Sequence, residues 1–143
     1  MENNMNILVA VDGSPCADRA TKKAAELAER CSGKLHILYV SYFDRKTDTN
    51  AVPWLPDNVA GQTAPTADEI LAHAKEIVPP DLAVEFHEKS GAPTREIVRM
   101  AKKIGADLIV VGGRGLGALE GFFLGSVSQG VIEDAECAVM VVK

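Results

Sequence analysis

Between Val111 and Ser126 the chain reads VGGRGLGALEGFFLGS, a stretch holding six of its twelve glycines and a single cation, Arg114. Three of those glycines fall at the spacing Gly112-x2-Gly115-x9-Gly125, and Ser126 follows directly. Glycine has no Cβ, so an anion can approach the backbone N–H groups closely. A helix starting at Ser126 would add unpaired N–H groups and about half a positive charge. These residue types at this spacing point to an anion site of phosphate size; the plainer alternative is a loop whose glycines only permit left-handed backbone. Ser126-x-x-Gln129 has the form of a capping box, so Ser126 is expected to cap that helix when the site is empty and to donate to an anion when it is full. Asp12, placed directly after an aliphatic run, offers a carboxylate either to ligand hydroxyls or to a turn shared with Ser14.

Other constellations carry less. No Gly-x4-Gly-Lys-[Ser/Thr] occurs, which excludes a P-loop. Gly113-x-Gly115-x-x-Ala118 fits a loose dinucleotide fingerprint but follows a late strand, and the next strand ends in Val142-Lys143 with no acidic residue, so it is rejected. His73, between Glu69 and Glu76 at helical spacing, reads as an exposed charged face more than as a metal face. His36 and His87 fall in strands without convergent partners, and no catalytic triad has support, so no catalytic residue is assigned. Cys16, Cys31 and Cys137 are odd in number and lack Cys-x-x-Cys spacing, as expected of small buried or half-buried hydrophobes and not of a disulfide framework or zinc site.

The elements that must position the glycine stretch alternate along the chain. MNILVAV (Met5 to Val11) is short and apolar, as in a strand covered on both faces. Ser14-Pro15 forms an N-cap and first helical residue; Ala20, Ala24, Leu27, Ala28 and Cys31 then share a stripe, with Gly33 as the stop. LHILYV (35–40) is the second strand. Thr66-Ala67-Asp68-Glu69 opens the second helix with a capping box, Ile70, Ala74 and Ile77 line it, and Pro79-Pro80 stops it. LAVEFHEK (82–89) alternates as a third strand nearer an edge, with Glu85, His87 and Lys89 on one face. Pro93 opens a third helix with Ile97, Met100, Ala101 and Ile104 inside and Gly105 at its end. DLIVVG (107–112) and AVMVV (138–142) are strands four and five, flanking the helix from Ser126.

Five strands alternating with four helices imply one α/β domain over residues 1–143, a doubly wound parallel sheet of Rossmann-like type, since each parallel pair needs a crossover. Ligands of such sheets sit beyond the carboxyl ends of the strands, where strand order reverses. The loops after strands one, two and four are therefore the ones to watch, and the glycine stretch is the last of these. Residues 41–65 form a long connection carrying Trp54 between two prolines, read as a partly ordered lid or contact arm.

At 143 residues the chain can bury roughly 70% of its unfolded surface. Hydrophobic and charged fractions of 47% and 24% are those of an ordinary globular protein. A net charge of −5 gives no footprint for nucleic acid or an anionic membrane. The apolar start is interrupted at Asp12, too early for a signal peptide or a span, so a cytoplasmic location is expected.

The combined pattern resembles the universal stress protein family, in its ATP-binding branch, over the full length. ILVAVDGS, HILYV, GAPTREIVRMAKKIGADLIVVGGRG and LGSVSQGVIEDAECAVMVV stand in the expected order, with Gly112-x2-Gly115-x9-Gly125-Ser126 as the most specific part. The resemblance implies strand order 3-2-1-4-5. It implies that Ala10, Val11 and Asp12 border an adenosine, that Val40 offers backbone to the adenine edge, and that Val111 and Gly112 lie against the ribose and α-phosphate. Gly115, Gly125, Ser126, Val127 and Ser128 would surround the phosphates with Arg114 nearby, and Mg would be held mainly by the nucleotide. Gly113 departs from the commoner Ser, and Gly117 and Gly121 add looseness to the loop, while Leu116, Leu119, Phe122, Phe123 and Leu124 are expected to pack it down. The last strand is an apolar edge that a second copy would cover, and the resemblance likewise implies a homodimer through it. Two classes remain: a nucleotide-binding regulatory or stress-response protein, and a slow ATP hydrolase or nucleotide-transfer enzyme. One arginine, no lysine and no evident base near the phosphates favour binding. A flavin carrier is poorly supported, with aromatics at only 5%.

Overall fold

The structure, a computed structural model, describes residues 4–41, 66–114 and 125–143. The long connection with Trp54 lies outside the described residues, as do Gly115 and the apolar residues expected to pack the glycine stretch.

Along the chain run β1 (Asn6–Val11), α1 (Pro15–Arg30), β2 (Lys34–Ser41), α2 (Ala67–Ile77), β3 (Val84–Ser90), α3 (Pro93–Ile104), β4 (Leu108–Gly112), α4 (Ser126–Asp134) and β5 (Ala138–Val142). The strands form one parallel sheet in the order β3-β2-β1-β4-β5. Strand alternation splits the core into two layers. Ile7, Val9, Leu35, Ile37 and Val110 meet the Ala17, Ala20, Ala24 and Ala28 stripe of α1 together with Ile70 and Ala74 of α2. Leu8, Leu38, Ile109 and Val111 meet Ile97 and Met100 of α3 and Val131 of α4 on the opposite face. Central strands covered on both sides explain why MNILVAV and DLIVVG are apolar without alternation.

The caps mostly follow the sequence. Ser14 accepts from Ala17 N at 3.1 Å ahead of Pro15, and Thr66 and Glu69 form a reciprocal capping box. Gly105 ends α3 in the left-handed conformation, φ 68°.

Three local expectations are corrected. The left-handed residue after α1 is Ser32 (φ 53°), not Gly33. Gly33 is needed for a different reason: a Cβ there would stand 2.5 Å from Met5 O, where Lys34 N bonds that same carbonyl at 2.8 Å to start the β1–β2 pairing. Cys31 is exposed at the C-cap instead of completing the buried stripe, because α1 ends one residue before it. Ser126 is the first residue of α4 and not its cap. Gly125 takes the N-cap position (φ −70°, ψ 159°) and its carbonyl accepts from Gln129 N at 3.0 Å, so the capping box falls one residue out of register and no side chain caps the helix.

Candidate functional site

β1 pairs with β2 on one side and β4 on the other, so the switch in strand order falls between β1 and β4. Both strands end at the same edge of the sheet, which is where the ligands of such sheets sit. On the β1 side, Asp12 Oδ1 accepts from Ser14 N at 2.9 Å while the buried Ser14 hydroxyl caps α1. One carboxylate oxygen of Asp12 thus shapes the turn, with Gly13 in it at φ 86°.

On the β4 side, Gly113 N bonds Val142 O and Gly125 N bonds Gly113 O, both at 2.8 Å. Ser128 Oγ donates to Gly112 O at 2.6 Å with its side chain buried. These bonds press the first turn of α4 against the end of β4. That turn carries no side-chain cap and no acidic residue of its own, so it presents N–H groups and the positive end of the helix dipole.

Gly112 is bare for reasons of packing. A Cβ there would stand 3.0 Å from both the carbonyl carbon and the Cβ of Cys16, so α1 rests directly on β4 at this point. Cys16 Sγ reaches Val142 O at 3.6 Å, and Arg19 joins it through Nη2 to Sγ (3.4 Å) and Nε to Lys143 O (2.7 Å). Ser14 belongs to the strand-one loop that the sequence singles out, whereas nothing in the spacing places Cys16 at this corner.

The structure gathers the sequence-predicted residues that it describes at this one edge. Val11 is aligned with Tyr39, so Val40 stands level with Asp12, and Val110 opposite Val9 puts Val111 beside Ala10. Ala10, Val40 and Val127 are partly buried against the layer containing Val111, which makes this edge apolar on the α3/α4 face. The Val11 side chain points into the other layer, so only its backbone faces the edge. Arg114 leaves the end of β4 half-buried, and Ser126 is exposed at the start of α4. Nearby, burial pushes the Tyr39 hydroxyl up from its ordinary pKa, helped by the negative charges of Glu88 and Asp12.

Elsewhere His73 Nε2 pairs with Asp18 Oδ2 at 2.9 Å, joining α2 to α1, and this bond holds its pKa above the usual imidazole value. His36 and His87, expected to lack convergent partners, in fact meet. The register sets His36 against Glu85 and Leu38 against His87, which brings the two rings together across the β2–β3 pair. Among the described residues, no helix is long and apolar enough to cross a membrane.

A five-stranded parallel sheet with order 3-2-1-4-5, helices on both faces and a helix N-terminus without a side-chain cap beside the strand-order switch defines a doubly wound, Rossmann-like α/β protein. The universal stress protein family model matches residues 3–143, and the chain belongs to that family. Universal stress protein YxiE of Bacillus subtilis is 33% identical over 144 residues, covering 96% of this chain and 97% of its own. A universal stress protein solved in complex with cAMP superposes with a TM-score of 0.70 at 27% identity, over 97% of this chain and 96% of its own. The universal stress protein of Archaeoglobus fulgidus in complex with dAMP gives 0.69 at 26% identity, over 97% and 98%.

Proposed function

We propose that this universal stress protein binds an adenine nucleotide, ATP foremost, at the carboxyl edge of β1 and β4, and that occupancy sets the state of the glycine stretch and the surface offered to partners. The observation that carries the reading is the first turn of α4, held against β4 by Gly125 and Ser128 and left without a cap or an acid. Such an N-terminus is an anion site. The cAMP and dAMP complexes of two family members support the adenine end of the ligand. In this reading Ala10, Val40 and Val111 border the base and ribose and Asp12 faces the ribose hydroxyls. Gly112, Arg114, Gly115, Gly125, Ser126 and Val127 surround the phosphates, with Mg carried mainly by them. Ser128 acts by fixing the turn, since its hydroxyl proton is already given to Gly112 O. The β5 edge pairs with a second copy to make a homodimer. The protein acts as a binder in the cytoplasm.

The test is direct. Heat-release of any ligand from purified protein, followed by chromatography, should yield ATP or ADP, and calorimetric titration of the emptied protein should rank adenine nucleotides above GTP. Asp12→Asn keeps an acceptor for Ser14 N and should weaken binding while leaving the fold intact. Absence of titration by any adenine nucleotide, or release of flavin, would sink the proposal. Phosphate release over hours at a steady rate would instead select the hydrolase.

A further inference from the structure

At the β2–β3 edge of the sheet three ligating groups converge that the nucleotide reading does not use. His36 Nδ1 and His87 Nε2 are 3.0 Å apart, Glu85 Oε1 is 3.4 Å from the first and 3.8 Å from the second. Glu85 and His87 alternate on one strand and so share a face, and His36 lies on the neighbouring strand directly opposite Glu85. The ring planes are inclined by only 18° with centroids 5.2 Å apart.

We propose that His36, Glu85 and His87 bind a divalent transition-metal ion of the zinc class, at a site separate from that of the nucleotide. A tetrahedral ion with bonds of about 2.1 Å holds its ligand atoms about 3.4 Å apart, and the three separations bracket that value. One proton shared between the imidazoles satisfies a single edge of this triangle, and without an ion Glu85 Oε1 is met by Lys34 Nζ at 3.5 Å. A divalent ion satisfies all three groups. Two imidazoles and one carboxylate select zinc, cobalt, nickel or copper over magnesium or calcium, whose sites are built from oxygen.

The surroundings favour the neutral imidazoles that metals require. His36 is 5% exposed, and burial, followed by the nearby His87, pulls its pKa below the usual value; burial does the same to His87. Lys34 Nζ, 3.5 Å from Glu85 Oε1, is the competing cation, and Lys89 and Lys103 add positive charge around His87. Lys34 is exposed enough to swing aside, and the half-exposed Glu85 leaves a fourth position open to water. Counting along β2, the site is about 13 Å from Val40, too far to share the nucleotide's ion.

The test uses the full chain, stripped with chelator and free of nucleotide, titrated with Co²⁺ by visible absorption and with Zn²⁺ by calorimetry. One equivalent should bind, with tetrahedral d–d bands and no near-ultraviolet thiolate band. His87→Gln, on a partly exposed edge position, and Glu85→Gln should each weaken binding by more than the roughly 10- to 100-fold that loss of an outer-shell partner costs. Cys31→Ser, which removes the exposed thiol, should change nothing. His36→Gln removes a buried ring, so the His87 variant, checked for an unchanged circular dichroism spectrum, decides. Titrations indistinguishable between wild type and His87→Gln, or cobalt spectra showing sulfur ligation, would overturn the site.

Discussion

Gly130, in the middle of α4, sets two effects of known sign against each other. Replacing a helix-interior glycine with alanine normally stabilises by up to about 1 kcal/mol, because the unfolded chain loses freedom that the helix never uses. At this position, however, the new Cβ would stand 2.8 Å from both Cγ2 and Oγ1 of Thr94 and 3.3 Å from its Cβ, in the first turn of α3. Thr94 is β-branched and stiff at χ1, so it cannot fold its tip away as a lysine would, and the two helices must separate by several tenths of an ångström. Overpacking of this kind costs about 1–3 kcal/mol, which exceeds the propensity gain. Gly130→Ala should therefore destabilise by about 0.5–2 kcal/mol, measured by urea unfolding of nucleotide-free protein with an unchanged denaturant slope. Thr94→Ala deletes both near atoms, so in that background the alanine at 130 should become neutral or stabilising. The double-mutant cycle should then show a coupling of about 1 kcal/mol or more. A Gly130→Ala variant as stable as wild type, or a cycle additive to within about 0.5 kcal/mol, would refute the claim that α3 and α4 meet through this contact.

Ser128→Ala leaves the part-buried Gly112 carbonyl without the Ser128 donor, which should cost about 1–2 kcal/mol and loosen the α4 turn, so that nucleotide affinity drops in proportion for mono- and triphosphates alike; a loss confined to triphosphates would mean that Ser128 touches the phosphates itself. Gly33→Ala drives a Cβ into Met5 O at the start of the β1–β2 ladder and should destabilise by more than about 2 kcal/mol in thermal or urea melts; a melt unchanged from wild type would refute the close approach. His73, whose pKa is raised by Asp18, should titrate above 6.5 by NMR and fall back toward 6.5 in Asp18→Asn. With the folded value above the unfolded one, the pair's contribution is complete below pH 6.5 and disappears as pH rises through the folded pKa. At this exposed site it stays within about 1 kcal/mol, and a stability difference between wild type and Asp18→Asn that grows with rising pH would contradict it.

What the sequence made legible here is what local physics dictates. Apolar runs covered on both faces announce the central strands, Ser14-Pro15 and the Thr66–Glu69 box announce helix starts, and Gly105 announces a stop, because each signal is satisfied within a few residues of itself. The misreadings concern atoms that are distant in sequence and close in space. Gly33 looks like a helix stop until Met5 O is seen beside it, and Ser126 looks like a cap until Gly125 is found tied to Gly113. The same distinction divides the candidate site. The glycine spacing marks the place of the proposed anion turn, yet the bareness of Gly112 answers to Cys16 of α1, ninety-six positions away in the chain, and the Ser128 hydroxyl answers to the Gly112 carbonyl. His36 and His87 carry the point furthest. Each is unremarkable in its own strand, and only the parallel register of β2 and β3, set by the hydrophobic layers beneath them, brings their nitrogens to 3.0 Å. A one-residue slip in that register would turn Glu85 and His87 to the opposite face and abolish the cluster. The convergence is therefore a product of the core's packing and a more demanding test of the fold than any residue in the glycine stretch.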